Sequence, residues 1–443
     1  MDQEEQKIQI LFDDLIPLPF RVLFLIQLGV FLWYFLVYSC YKLNCLNILH
    51  LLNLSYSPHD YSSLDDNLVP TGEFQATVVP DFHSNGLLAN GIWGTFKIVA
   101  IVNTISWFIF RFISYSINVK VAESESTNVI FTPIYYTIPL GVFVYVLFKV
   151  FYKPQNANSM GQFRLYTTIK RISLGRINSS TMRTNDILIS DSLCSYAKVL
   201  NDFGLYLWNY YYSAEVPYNN GLELCVLCIP TAIRLKQCWF EYTTTNNRQH
   251  LFNFIKYLTT LGPLTINFLI KELLTTTNSS QFSEPEFITR LEGLNRWWYV
   301  FSLLNSTYSF IWDIKMDWGL PMLDFLFDRK GSFFQYRILR QKSAFRSEFY
   351  YGVITFDFLI RYIWVLKFFI VTDMQKPTIT FVHILSTFLF GYDAYSFGYV
   401  IIEFLEIFRR WLWCFVKLDA DWAKLEITSN NDIEMVTNSA KLG

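Results

Sequence analysis

Apolar residues in this chain gather into long runs, not into the period-2 or period-3.6 stripes of a water-soluble fold. Nine runs approach the ~20 residues that a helix needs to cross a bilayer: approximately 21–41, 87–113, 128–152, 186–211, 219–239, 251–273, 297–312, 349–370 and 378–408. The last is long enough to kink, with Gly391 and Gly398 as break points. The pattern predicts an all-α fold, a polytopic membrane helical bundle of about nine spans.

The polar segments between runs orient this bundle. Six basic residues from Lys153 to Arg183 follow the third run and seven from Lys315 to Arg346 follow the seventh. Short basic loops favour the cytosolic side. Alternation then puts the carboxyl terminus in the cytosol and the amino terminus in the lumen or outside. The loop at 42–85 fits least, because it is assigned to the cytosol with almost no basic residue. The sequon Asn278-Ser279-Ser280 falls on the luminal side, whereas those at Asn53 and Asn178 fall on the cytosolic side and should be silent.

Composition narrows the class. With 52% hydrophobic and 16% charged residues among 443, the chain is too apolar for an ordinary soluble domain of its length. Lys and Arg number 36 against 37 Asp and Glu, which leaves none of the basic excess of a nucleic-acid binder. Cys225 and Cys228 have C-x-x-C spacing without a second pair of ligands and read as packing residues. No metal or cofactor is expected. No Ser-His-Asp set, P-loop or dinucleotide-binding glycine run is present, so an enzyme is not expected and no residue is nominated as catalytic.

The informative residues are charges inside apolar runs. Each costs about 2.5–3.5 kcal/mol at a span centre, so it faces a partner or a wet cavity. The cations are Lys256, Arg361, Arg409 and Arg410; the anions are Asp191, Asp313, Asp317 and Glu406. In a helix, Asp313 and Asp317 stand at i and i+4 and share a face. Trp364 lies three residues after Arg361, so its indole is placed to shield or stack on the guanidinium. Glu406 precedes Arg409 and Arg410 by three and four residues, and one carboxylate suffices to hold either. Two readings compete: interhelical salt bridges that serve as assembly glue, or the lining of an anion path. Several Arg forks together favour the path, since they suit tetrahedral oxyanions. Chemistry alone does not select phosphate over sulfate.

Several strings add a resemblance. They are Ser190-Asp191-Ser192-Leu193 with Ser195, Ile229-Pro230 with Arg234 and Gln237-Cys238, and His250-Leu251 leading to Lys256-Tyr257. After these come Trp312-Asp-Ile-Lys-Met-Asp-Trp-Gly-Leu320, Arg361-Tyr-Ile-Trp364 and Glu406-Ile-Phe-Arg-Arg-Trp-Leu-Trp413. The chain resembles the EXS family, the membrane domain of eukaryotic phosphate exporters, from about Leu15 and most strongly over 221–421. The resemblance implies a six-helix EXS pore region that passes inorganic phosphate. The positions implied to contact phosphate or line the pore are Asp191, Lys256, Tyr257, Asp317, Arg361, Trp364, Arg409 and Arg410, supported by Asp313, Glu406 and Arg234.

Two departures matter. No basic SPX-type helical domain precedes Arg21, and Trp239-Phe240-Glu241 stands where the family usually has Leu-Arg-Arg. Resemblance to short SPX-less members implies a Golgi membrane location, with cycling to the endoplasmic reticulum. It also implies return to the cytosol of phosphate released by luminal glycosylation, and support for retention and recycling of glycosyltransferases and ER residents. The expected domains are a luminal segment 1–20, transmembrane helices and a basic cytosolic loop 21–185, an EXS-type transport domain 186–418 and a flexible cytosolic tail 419–443. Expected partners are inorganic phosphate, the lipid bilayer and, through the tail, COPI-adaptor recycling machinery, with no nucleic acid. Aromatic-rich outer faces suit either lipid or a second copy in a homodimer. The alternative function is a non-transporting membrane receptor or scaffold that retains Golgi enzymes or luminal ER proteins.

Overall fold

The first apolar run folds as helix α1, Leu18–Leu43, with Pro19 in its first turn, where a missing N–H is not needed. It stops at Asn44, which adopts the left-handed conformation (φ 47°) and turns its N–H back onto the helix end. The computed structural model describes residues 15–52, 83–121, 128–152, 162–177, 183–212, 216–277, 284–324, 338–370, 380–390 and 396–442. Among these, every regular element is helical and none is a strand.

A short α2 (Ile48–Leu51) leads to α3 (His83–Val121), α4 (Asn128–Phe151) and α5 (Gln162–Ser173). Helices α6 (Arg183–Ser195), α7 (Ala197–Tyr211), α8 (Asn220–Thr245), α9 (Arg248–Thr277) and α10 (Glu284–Trp312) follow. The chain then passes through a π-helical turn, Asp313–Asp317, to α11 (Ser347–Arg361), a 3-10 segment (Ile363–Phe369), α12 (Phe381–Phe390) and α13 (Phe397–Leu442). Helices α8, α9 and α10 pack in sequence order, while α13 packs against α6, α11, α12 and α1.

Each of the nine predicted spans falls on helix, but three are broken. The run at 186–211 divides at Tyr196 (φ −91°, ψ 6°), whose hydroxyl donates to the Leu25 carbonyl (3.0 Å). The run at 349–370 divides at Tyr362 (φ −104°, ψ 8°). The run at 378–408 is two helices, α12 and α13; Gly391 lies outside the described residues, and Gly398 sits where α13 meets the backbone of α12 at Phe388 and Leu389. Broken helices leave backbone groups that only a protein-lined or wet site tolerates at membrane depth.

By length and apolarity alone, two helical stretches qualify as spans among the described residues: Leu18–Leu43 and Asn85–Tyr115. Two shorter apolar stretches are Thr137–Phe151 and Phe381–Phe390. Helices α8 to α11 are interrupted by the charges, hydroxyls and breaks described below, which lower their mean hydropathy. On α3, Ile101, Ile105, Phe108 and Phe112 form an exposed stripe at helical spacing, with Val99, Asn103 and Phe110 buried on other faces.

The expected tail boundary at 419 does not coincide with the end of packing. Helix α13 continues without interruption to Leu442. Asp419, Ala420 and Ala423 are buried, and Asp419 accepts from the Ala344 N–H (2.8 Å), the Tyr350 hydroxyl (2.6 Å) and Arg340. The sequons at Asn53, Asn178 and Asn278, the amino-terminal segment 1–14 and the middle of the second basic loop, 325–337, lie outside the described residues.

Candidate functional site

The breaks and the π turn bring side chains from several helices to one region. Asp191, near the end of α6, is buried, accepts from the Tyr257 hydroxyl of α9 (2.6 Å) and forms an ion pair with Arg234 of α8 (Nε–Oδ1 2.7 Å). Arg234 also donates to Ser190 Oγ (3.2 Å) and Gln237 Oε1 (2.8 Å). Arg410 of α13 reaches the other Asp191 oxygen at 3.7 Å. Its Nε donates to Ser195 (3.2 Å), and its guanidinium lies 4.7 Å from the Trp413 ring centroid.

Arg409 points the other way round α13. It donates to Glu406 (2.5 and 3.0 Å) and to Asp357 of α11 (2.8 Å). Arg361 donates to the second Asp357 oxygen (2.9 Å) and to Asp313. Asp357 thus joins two arginines from different helices. Ser195 in turn donates to Glu406 (3.0 Å), which links the Arg409 group to Arg410.

The π turn changes one expectation. Trp318 N–H closes onto the Asp313 carbonyl, an i+5 bond, so the extra residue per turn rotates the two carboxylates apart. Asp313 faces Arg361, while Asp317 faces Lys256 at 3.9 Å. Lys315 leaves this face and pairs with Asp324. Gly319, at φ +60°, then reverses the chain so that Leu320 N–H returns to the Ile314 carbonyl (2.9 Å).

Trp364 is also placed differently. The helix break after Arg361 turns the indole so that Nε1 donates to Ser306 (2.9 Å), and Ser306 donates to the Arg361 carbonyl (2.8 Å). The indole is thus tied to the Arg361 backbone through this hydroxyl, not to the guanidinium. Lys256 instead rests on rings, 4.4 Å from the Tyr257 centroid and 5.5 Å from that of Trp312.

These groups line a partly open cavity of about 610 Å³, more than ten times one water's ~30 Å³ share of the liquid. Lys256, Tyr257, Arg361, Trp364, Arg409, Arg410 and Glu406 line it. Asp191, Asp313 and Asp317 stand behind that lining as its counter-charges, and Arg234 pairs with Asp191. Among the described residues, Arg410 Nη1 is buried without a hydrogen-bond partner, and so is Asp317 Oδ2. The cavity continues past Ser302, Asn305 and Ser309 to Lys198, Lys271 and Lys367.

Sequence reasoning overlooked Asp357 and Lys367, although each is a charge in an apolar run and so carried the signal used for the others. Glu241, where the family pattern departs, is buried and pairs with Arg183 (2.6 Å) and His250 (3.2 Å). A helical bundle with broken helices closing on a cation-lined cavity is an architecture suited to binding or passing an anion. The chain belongs to the EXS family, which its residues 16–423 match.

Relatives agree on this placement. Over 57% of the chain, it is 30% identical to Protein ERD1 of Saccharomyces cerevisiae, covering 59% of that protein, and 28% identical to Protein ERD1 homolog 1 of Schizosaccharomyces pombe, covering 61%. It is 30% identical over 46% of its length to Solute carrier family 53 member 1 of Mus musculus, covering 24% of that protein. The matched region thus spans about three fifths of the two ERD1 proteins and about a quarter of the solute carrier.

Proposed function

We propose that this protein is a phosphate transporter or channel of the Golgi membrane, with the 610 Å³ cavity as its binding chamber. The observation that carries the reading is the convergence of Lys256, Arg361, Arg409 and Arg410 on one void, with Arg410 the least tied of the three arginines: one ion pair, Nη1 to Asp191 at 3.7 Å, and one hydroxyl contact. A tetrahedral oxyanion in that void supplies acceptors to all four. The ion pairs around it keep the guanidinium forks open when no anion is bound. Similarity to a solute carrier and the absence of a nucleophile–base pair in the sequence favour transport over catalysis.

In this reading the nine helical runs cross the bilayer, the lipid meets faces such as the exposed stripe on α3, and the carboxyl terminus is cytosolic. Phosphate moves from lumen to cytosol, which sustains luminal glycosylation and, through it, retention of glycosyltransferases and ER residents. Purified full chain in liposomes passes radiolabelled phosphate, and Arg361→Ala and Arg410→Ala each stop it; undiminished flux in both variants refutes the site. A second reading, a retention scaffold contacting recycling adaptors, draws on the part of α13 beyond residue 423, which lies past the family match. Removing 425–443 then abolishes retention with flux intact; retained enzymes in that truncation refute the scaffold.

A further inference from the structure

Away from the arginine site, one buried cation faces two buried acids. Arg21 of α1 donates to Asp202 of α7, and its Nε lies 3.8 Å from Glu403 Oε2 of α13. All three side chains are at most 2% exposed. Among the described residues, no N–H or O–H donor reaches Asp202 Oδ1 or either Glu403 oxygen. The two carboxyls instead lie within hydrogen-bonding reach of each other. Two carboxylates at that reach repel, and in a site this dry one arginine does not offset both. A single hydrogen held between them removes the repulsion and gives a buried oxygen the donor it lacks.

The pair stands one layer behind the cavity wall. Lys198 precedes Asp202 by four residues on α7 and Tyr399 precedes Glu403 by four on α13, so each acid shares a helix face with a residue that lines the void. Both cations rest on the Tyr399 ring, Arg21 Cζ 5.4 Å and Lys198 Nζ 5.2 Å from its centroid, and Lys198 acts electrostatically on both acids. The other charged groups around the pair are engaged. Glu223 of α8 holds Lys271, and Glu406, one turn along α13, holds Arg409. Asp191 of α6 and Asp357 and Arg361 of α11 belong to the arginine site. Lys367 faces Lys198 from the 3-10 segment, and α12 contributes His383, whose Nδ1 contacts Thr380 Oγ1 (2.7 Å). With both acids ionised, Asp202 and Glu403 cancel Arg21 and Lys198. With one proton added, these four groups carry one net positive charge beside an anion cavity.

We propose that Asp202 and Glu403 together hold one exchangeable proton, and that this proton is linked to anion occupancy of the neighbouring cavity. Such a pair titrates as a unit, so the proton belongs to both acids. Linkage is reciprocal: a proton that favours the anion is itself held more tightly when the anion is present. Carboxyl groups buried within a transporter's helices serve as proton relays for this reason. The linkage rests on the phosphate reading of the cavity; the proton site does not.

The test uses the full chain in phosphatidylcholine nanodiscs, as wild type, Glu403→Gln and Asp202→Asn. Infrared difference spectra between acidic and alkaline buffers read the carbonyl stretch of a protonated carboxyl. Wild type is expected to show such a titrating band and each single variant to lose it, since the remaining acid then has Arg21 to itself. From acidic to alkaline buffer, affinity for inorganic phosphate is expected to fall at least about fivefold further in wild type than in Glu403→Gln, the lower end of ordinary coupling between sites. Phosphate's own titration is common to both proteins. Size-exclusion profiles report folding, and Asp202→Asn carries the same expectation if Glu403→Gln fails to fold. A band that persists in both variants overturns the shared proton, and so does a wild-type band abolished by sodium at constant pH, which would mark a metal-cation site. Equal pH dependence of phosphate affinity in wild type and variant overturns the linkage. A wild type that binds no phosphate overturns the phosphate reading and the linkage, while the infrared band still decides the proton site.

Discussion

Arg234 holds Asp191 across 2.7 Å from one helix to the next, with each side chain about 2% exposed. Removing one partner of such a pair strands the other charge, a loss of about 3–5 kcal/mol. Arg234→Ala therefore lowers the thermal midpoint in detergent well below wild type. Adding Asp191→Asn to Arg234→Ala recovers part of the loss, because the stranded carboxylate is gone. Equal midpoints for the single and double variants would show that Asp191 draws its compensation from Arg410 and Tyr257 instead.

Adjacent arginines on α13 separate structure from binding. Arg409 is tied to Glu406 and Asp357 by close bonds, so Arg409→Ala leaves the buried Asp357 with Arg361 alone and removes the cation from the part-exposed Glu406, a loss of about 3–5 kcal/mol at most. Arg410 has one long ion pair, one hydroxyl contact and a ring, and a buried Nη1 without a hydrogen-bond partner among the described residues. Arg410→Ala costs less stability and more phosphate. A lost charge-assisted hydrogen bond of about 1.5–3 kcal/mol weakens phosphate binding roughly 10- to 100-fold. Thermal melts and phosphate titrations on both variants read the split; the same ranking in both assays would remove the distinction.

The cavity was largely legible from the expense of burying charge. Lys256, Arg361, Arg409 and Arg410 stood out because each interrupts an apolar run, and all four line the same void. What stayed hidden is where helices stop. Tyr196 and Tyr362 mark breaks with no proline or glycine beside them, so neither changes the local pattern. Those breaks set Trp364 on Ser306 and turn α7 away from α6, outcomes decided by tertiary contacts such as Tyr196 on the Leu25 carbonyl. The separation of Asp313 from Asp317 was hidden for a related reason: a π turn looks like ordinary helix in the sequence.

At Gly398 the backbone of α13 lies against that of α12. A Cβ there would collide with the Phe388 carbonyl and come within 2.7 Å of Leu389 Cα, and neither is the end of a flexible side chain. Gly398→Ala is expected to destabilise by about 1–3 kcal/mol, the usual range for overpacking. The comparison is Gly94→Ala on α3, where nothing lies within 4 Å and the change should stabilise by up to about 1 kcal/mol through helix propensity. Thermal midpoints that move the same way for both substitutions would mean that α12 can shift aside.

Asp419 fixes where a tail deletion can begin. It is buried and binds Ala344 N–H, Tyr350 and Arg340, so it ties α13 to the segment that precedes α11. Asp419→Ala leaves a buried backbone donor, a hydroxyl and a guanidinium short of their acceptor, at about 1–3 kcal/mol for each neutral group and more for the charge. Truncation before 419 is therefore expected to yield aggregated or degraded protein, whatever the tail's own role. Truncation after 424 keeps Ala420 and Ala423 in their packing and should give a monodisperse protein with phosphate flux near wild type. Size-exclusion and liposome flux on the two truncations check this. A well-behaved protein ending at 418 would show that the Asp419 network contributes little to holding α13 in place.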